Sequence, residues 1–189
     1  MAQSVCIGAL LLVLLFGVGT DAGGLQCDYL GSDVAASDAT VGAAQYTVDS
    51  QPNNAQGGVA TVQGLQVGGL HYDKGFFAHA PSQVTFNLDG AYQSISGCAG
   101  IATMAPNCGT ASGDATFSVQ ADGTEIWTHH GAAGEHACFE LAVDGVSDLV
   151  FVTTDGSQSC AASAWTDIKA CTSTDHGGAA VHACDMASQ

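Results

Sequence analysis

The residues of this chain whose types and spacing could do chemistry are few. Trp127 and Trp165 are its only tryptophans, and Ser163 and Asp167 stand two positions to either side of Trp165. Lys74 is one of two basic residues in the whole chain, and His79 comes two residues before Pro81 where a strand begins. An aromatic face can pack the apolar C–H side of a sugar ring while a few polar groups bond its hydroxyls. Trp165, Trp127, Asp167, Lys74 and His79 are therefore candidate sugar contacts, with Trp165 the first choice of platform. Each has a structural alternative. A tryptophan in an alternating strand can serve the core, Lys74 can form an internal ion pair with a neighbouring Asp, and His79 can be a buried hydrogen-bonding residue.

Metal chemistry and catalysis find less support. His129, His130, Glu135 and His136 fall in what reads as a loop after Trp127, and His176, His182 and Cys184 lie near the C-terminus, all without a recognised ligand spacing. An oxygen-rich stretch with Asp33, Ser37 and Asp38 could hold calcium, although the Asp-x-Asp-x-Asp-Gly frame of an EF-hand is missing. There is no Gly-x-Ser-x-Gly elbow, no phosphate loop and no dinucleotide fingerprint. With 18 acidic residues, pairs of carboxylates arise by chance, so the expectation is a protein that catalyses nothing.

The elements that must position these residues read as strands. Apolar and polar residues alternate through Val84, Phe86, Leu88; Ala115, Phe117, Val119, Ala121; and Phe139, Leu141, Val143. Leu149 to Val152 is continuously apolar and predicts a strand covered on both faces, while Val59 to Val67 predicts two short strands broken at Gly64. Asp89-Gly90, Asp122-Gly123, Asp144-Gly145 and Asp155-Gly156 each follow a strand candidate, where glycine can take positive φ in a tight turn. Strands at this spacing without helical stretches predict an all-β fold, an antiparallel β-sandwich.

The N-terminus sets the compartment. Val5 to Val18 is almost unbroken apolar sequence followed by small residues, shorter than a membrane span, so residues 1–23 read as a signal peptide and no membrane insertion is expected. The domain is expected over 27–171, with 172–189 a flexible tail. Once secreted, most of the seven cysteines beyond the leader should pair. Proximity suggests Cys27–Cys171, Cys98–Cys108 and Cys138–Cys160, leaving Cys184 as a free thiol or the bridge of a covalent dimer. Two basic against 18 acidic residues give a net charge of −16, which repels phosphate backbones, so nucleic acid is not an expected partner.

Four segments resemble the NPCBM family, the novel putative carbohydrate-binding modules attached to glycoside hydrolases, including those of family 98. Tyr72-Asp73-Lys74-Gly75-Phe76-Phe77-Ala78-His79-Ala80 is similar to the family's Lys-Gly-(x)₃-His-Ala signature. Phe117 to Trp127 is similar to its strand, Asp-Gly turn, strand hairpin, Ala164-Trp165-Thr166-Asp167-Ile168 to its closing Trp-x-Asp strand, and Asp28-Tyr29-Leu30 with Ser32-Asp33 to its opening. The resemblance implies a galactose-binding-like jelly roll that recognises terminal galactose-type sugars and holds a structural calcium ion. The chain departs from the pattern in having Cys160-Ala161-Ala162-Ser163 where members carry Asp and His, and Gly100-Ile101-Ala102 in place of Gly-Val-Asp. The reading is thus a secreted, lectin-like module whose partner is a glycan or glycoconjugate. The alternative is an extracellular structural or interaction protein that uses the sandwich and the odd cysteine for assembly.

Overall fold

A computed structural model describes residues 24–42, 46–52, 61–103, 113–155 and 162–173. The leader, Gly156 of the fourth Asp-Gly pair, Cys108, Cys160, Cys184, His176, His182 and the expected tail beyond Ser173 lie outside these residues, whereas Thr172 and Ser173, expected to be tail, continue the last strand and pair with Gln26 and Leu25. Among the described residues the regular structure is all strand, and two antiparallel sheets face one another. In chain order the strands are β1 (Leu25–Tyr29), β2 (Asp38–Val41), β3 (Thr47–Val48), β4 (Ser50–Pro52), β5 (Thr61–Gln63), β6 (Leu65–Val67), β7 (Leu70–Tyr72) and β8 (Gly75–Phe77). They continue with β9 (Ser82–Asn87), β10 (Ser94–Ile101), β11 (Asp114–Ala121), β12 (Thr124–Ala132), β13 (His136–Ala142), β14 (Asp148–Asp155) and β15 (Ser163–Ser173). One sheet runs β13-β10-β15-β8-β3, with β1 also paired to β15, and the other runs β12-β11-β14-β9-β2. β4-β5 and β6-β7 form two small ribbons.

Period-two alternation explains the burial. Val84 and Phe86 of β9 and Ala115, Phe117 and Val119 of β11 point into the space between the sheets, where Phe76, Phe151 and Trp165 meet them. Aromatic pairs at centroid distances of 4.9 Å (Phe151–Trp165), 5.5 Å (Phe117–Trp165) and 5.4 Å (Phe76–Phe151) fill the centre with tilted and edge-on contacts, the arrangements that ring quadrupoles favour. β14 departs from expectation. Leu149 and Phe151 are buried, whereas Val150 and Val152 are only half-buried, because among the described residues no further layer covers the outer face of this sheet.

Three of the Asp-Gly pairs turn the chain, but only Asp122-Gly123 makes a hairpin, between β11 and β12. Asp122 (φ 47°) and Gly123 (φ 80°) are both left-handed, the requirement of a two-residue turn that follows the strand twist. Asp89-Gly90 and Asp144-Gly145 instead hand the chain from one sheet to the other, since β9 and β10, and likewise β13 and β14, belong to different sheets. Asp122 also accepts the amides of Ser147 and Asp148 at 3.1 and 2.9 Å, fixing the crossover before β14.

Register, not sequence proximity, decides the disulfides. Cys27 and Cys171 face each other across β1 and β15 with Cα atoms 4.1 Å apart and are bonded. Cys98 bonds Cys138, its direct partner across β10 and β13 at a Cα separation of 3.9 Å. The expected Cys98–Cys108 and Cys138–Cys160 pairs are therefore both corrected. The β11-β12 hairpin goes to the other sheet, so β13 returns beside β10 and brings together two cysteines 40 residues apart.

Gly75, the glycine of the Lys-Gly signature, sits at φ +136° with its α-carbon against β15, and an added Cβ would overlap the Trp165 carbonyl oxygen and come within 2.9 Å of Thr166 Cα. Both objections are backbone ones that no rotamer relieves. Gly75→Ala is expected to cost about 2 kcal/mol or more, read as a lower urea midpoint at unchanged m-value. A midpoint equal to the wild type would remove this explanation of the glycine.

Candidate functional site

The long strand β15 has two partners on one edge: Ala164 to Thr166 pair with β8, and Lys169 to Ser173 pair with β1. Between these stretches Asp167 takes φ 54°, and on the other edge the three steps of β15 from Thr166 to Lys169 span only two steps of β10. This bulge reverses the facing of side chains. Trp165, Ile168 and Ala170 are buried, while Asp167 and Lys169 reach solvent. Bulges re-aim side chains in this way by leaving one residue out of the ladder.

The bulge gathers a charged cluster. The Asp167 amide donates to the Lys74 carbonyl at 2.9 Å, and Lys169 Nζ lies 3.2 Å from Asp167 Oδ2. Lys74 Nζ donates to Asp49 Oδ2 at 2.8 Å and to Ser32 Oγ at 3.3 Å. Both ammonium groups lie over the ring of Tyr29, 5.7 Å (Lys74) and 5.2 Å (Lys169) from its centroid, within cation–π range. The only two basic side chains of the protein thus converge on one half-buried tyrosine, flanked by two carboxylates. Tyr72 bounds the cluster on the far side of Asp167: burial raises its phenol, the hydrogen bond to Thr166 opposes this, and the Asp167 charge adds to it.

Electrostatics keep both lysines charged. The hydrogen bond to Asp49, reinforced by the charges of Asp49 and Asp33, holds the Lys74 ammonium above its ordinary value. Burial alone would lower Lys169, but the hydrogen bond and charge of Asp167, together with Tyr29, more than offset it. At the back of the cluster Tyr92 donates to Asp28 Oδ2 at 2.8 Å, and burial first, then that bond, pushes its phenol up to about 12.

Asp49, which sequence reasoning passed over, organises this edge. Its carboxylate holds Lys74 Nζ through Oδ2 and the Gly75 amide through Oδ1 at 3.0 Å. Its own amide donates to the Gly75 carbonyl at 2.8 Å, and its carbonyl accepts from Gly64 at 2.9 Å. It does so at φ 51°, a conformation that Asp tolerates better than most residues. An isolated Asp before a Ser in a stretch without clear periodicity gives no signal of four such bonds; only the pairing of distant segments reveals it.

The remaining candidates disperse. Trp165 is 1% exposed and stands in the core against Phe76, Phe117 and Phe151, so it cannot serve as a platform, and Ser163 beside it is buried with its hydroxyl on the Ala78 carbonyl. His79 is buried, with Nδ1 2.7 Å from the Ala80 carbonyl oxygen, and packs on Phe77. Trp127 is half-buried on the edge strand β12, 4.8 Å from Phe139, and plugs the gap between the sheets. His129 and His130 lie on β12 itself, not in a loop; His130 meets Thr116 and Asp114, and Glu135 accepts the Ala132 amide. The oxygen-rich stretch expected to hold calcium is engaged in internal bonds. The Asp33 carboxylate accepts the Tyr29 amide, Ser37 bonds Thr85 and Asn87, and Asp38 lies in β2. Among the described residues no three His, Cys, Asp or Glu gather to hold an ion.

A family model described as the NPCBM/NEW2 domain matches residues 28–170. Several solved structures share the fold. The CBM51 module of a Clostridium perfringens GH95 protein in complex with methyl-galactose is 17% identical with a TM-score of 0.58, covering 77% of this chain and 99% of that one. The structure of CBM51-2 in complex with GlcNAc and INT domains from Clostridium perfringens ZmpB is 16% identical with a TM-score of 0.65, covering 79% of this chain and 32% of that one. The tandem CBM51 modules of a Streptococcus pneumoniae family 98 glycoside hydrolase are 13% identical with a TM-score of 0.69, covering 83% and 50%. The chain thus spans about a third and about half of the last two. No curated protein matches the sequence.

Proposed function

Because the chain belongs to the NPCBM/NEW2 domain family, a family of non-catalytic carbohydrate-binding modules, we propose that it binds a neutral, galactose-type terminal sugar at the Tyr29–Lys74–Lys169–Asp167 cluster, outside the cell. The observation that carries this reading is the convergence of both ammonium groups on one tyrosine between two carboxylates. An ammonium has three N–H donors and a carboxylate several acceptor positions, so the cluster keeps capacity for ligand hydroxyls after its internal bonds are made. The adjacent 3- and 4-hydroxyls of a galactose-type ring lie on the same side. A paired carboxylate and ammonium such as Asp167 and Lys169, 3.2 Å apart, can accept from one and donate to the other. Lys169 and Asp167 are 35% and 44% exposed, open to a ligand yet held by the strand.

The net charge of −16 disfavours sulfated or uronic acid glycans, leaving neutral sugars as the favoured class. The methyl-galactose complex of the GH95 module supports the galactose assignment, and the two disulfides support an oxidising, extracellular setting. The test is calorimetric titration with methyl-galactoside, methyl-glucoside and GlcNAc, each in calcium and in EDTA, for the wild type, Tyr29→Ala and Lys169→Met. Preference for the galactoside, with at least a tenfold loss in both variants and unchanged circular dichroism, is expected. Silence toward every sugar, or wild-type binding by both variants, would overturn the assignment.

A further inference from the structure

The outward face of the β1-containing sheet continues the cluster across two more strands. Tyr29 of β1 is in register with Lys169 of β15, Lys169 with Ser96 of β10, and Ser96 with Glu140 of β13. Directly paired residues project from the same face of a sheet. Ile95 and Phe139, on positions of opposite parity, are core residues, which places Ser96 and Glu140 on the outer face. The result is one straight row of an aromatic ring, an ammonium, a hydroxyl and a carboxylate.

The two disulfides bracket this row. Cys27 and Cys171, in register with Ser94, form the next row on one side, and Cys98 with Cys138, in register with Thr166, the next on the other. Covalent ties between β1 and β15 and between β10 and β13 limit the sliding and splaying of the strands that carry the four residues. Neither Ser96 nor Glu140 bonds another side chain among the described residues, and Glu140 is exposed. The far half of the row therefore has one donor-acceptor and one acceptor uncommitted, on a frame stiffened to either side.

We infer that this row is an extended binding face for a neutral oligosaccharide lying across the strands, its terminal sugar at Tyr29 and Lys169 and its following sugars over Ser96 and Glu140. Strands are spaced about 4.8 Å apart, so Tyr29 to Glu140 spans about 14 Å, room for about three pyranose rings end to end. A neutral chain is the ligand of choice because Glu140, like the rest of the surface, repels anionic glycans. The hydroxyls of the second and third rings would donate to Glu140 and exchange bonds with Ser96, which explains an otherwise idle polar pair in line with the charged cluster. The inference rests on the sugar-binding reading above.

The experiment compares a galactoside monosaccharide with neutral galactose-terminated di- and trisaccharides by calorimetry, in the wild type and in the double variant Ser96→Ala/Glu140→Ala. In the wild type, affinity is expected to rise at least tenfold from mono- to trisaccharide, and in the double variant that ratio is expected to fall to within about twofold of unity. A wild-type ratio near one, with the monosaccharide still bound, overturns the extended face alone. A double variant that keeps the full ratio also overturns it, since the extra sugars would then rest elsewhere. If the wild type binds none of the three ligands, the sugar-binding assignment falls first and this inference with it.

Discussion

Trp165→Ala is expected to destabilise the domain by about 3–5 kcal/mol, the range found when a fully buried tryptophan is truncated. Its indole touches Phe76, Phe117, Trp127, Phe139 and Phe151, so truncation removes the shared centre of the aromatic core. Against a total stability of about 5–15 kcal/mol the variant keeps a small margin and melts about 10 °C lower or more. Thermal unfolding followed by far-ultraviolet circular dichroism measures it. A variant that melts like the wild type but fails to bind sugar would return Trp165 to the surface role that its sequence context suggests and the structure denies.

The second large effect comes from Cys27→Ser/Cys171→Ser. The bridge closes a loop of 144 residues, and chain entropy assigns such a closure about 5 kcal/mol as an upper value, with native-state and denatured-state effects reducing it. The Cys98–Cys138 bridge closes 40 residues, for which the same relation gives about 4 kcal/mol. The two double variants should therefore both lose stability, the Cys27/Cys171 one more. That variant should also lose affinity at the proposed sugar site, because β1 carries Tyr29 and the bridge holds the middle of β1 to β15. Equal melting of this variant and the wild type would mean that backbone pairing along β1 suffices. Retained stability with lost binding would place the role of the bridge in the site alone.

The strands were legible because burial on one face imposes a period of two, and β9, β11 and β13 obey it. Two segments quoted for the family resemblance, that of Lys74 and Gly75 and that of Asp167, do come together. What alternation misjudged is the facing within Ser163 to Lys169. A strict period puts Ser163, Trp165 and Asp167 on one side, and the bulge at Asp167 breaks it, sending Trp165 inward and leaving Asp167 at the surface. Local sequence does not announce such a bulge, which depends on what β8, β1 and β10 demand of both edges of β15. The same limit explains Asp49 and the Cys98–Cys138 bridge, each defined by segments far apart along the chain. Tyr29, quoted only as part of the opening motif, becomes the centre of the charged cluster, and so of the proposed site, once β1 is seen beside Lys169.

The central place of β15 also bears on how the molecule is made. This strand is the last one described, yet it lies between β10 on one edge and β8 and β1 on the other. Until it emerges from the ribosome the six-stranded sheet is without its middle, β1 has no partner, and Cys171, the thiol that Cys27 awaits, is still to come. Folding dominated by such distant pairings is slow. During synthesis Cys27 is free to react with any of the cysteines that precede Cys171. The native Cys27–Cys171 bond can therefore close only after nearly the whole domain has been made.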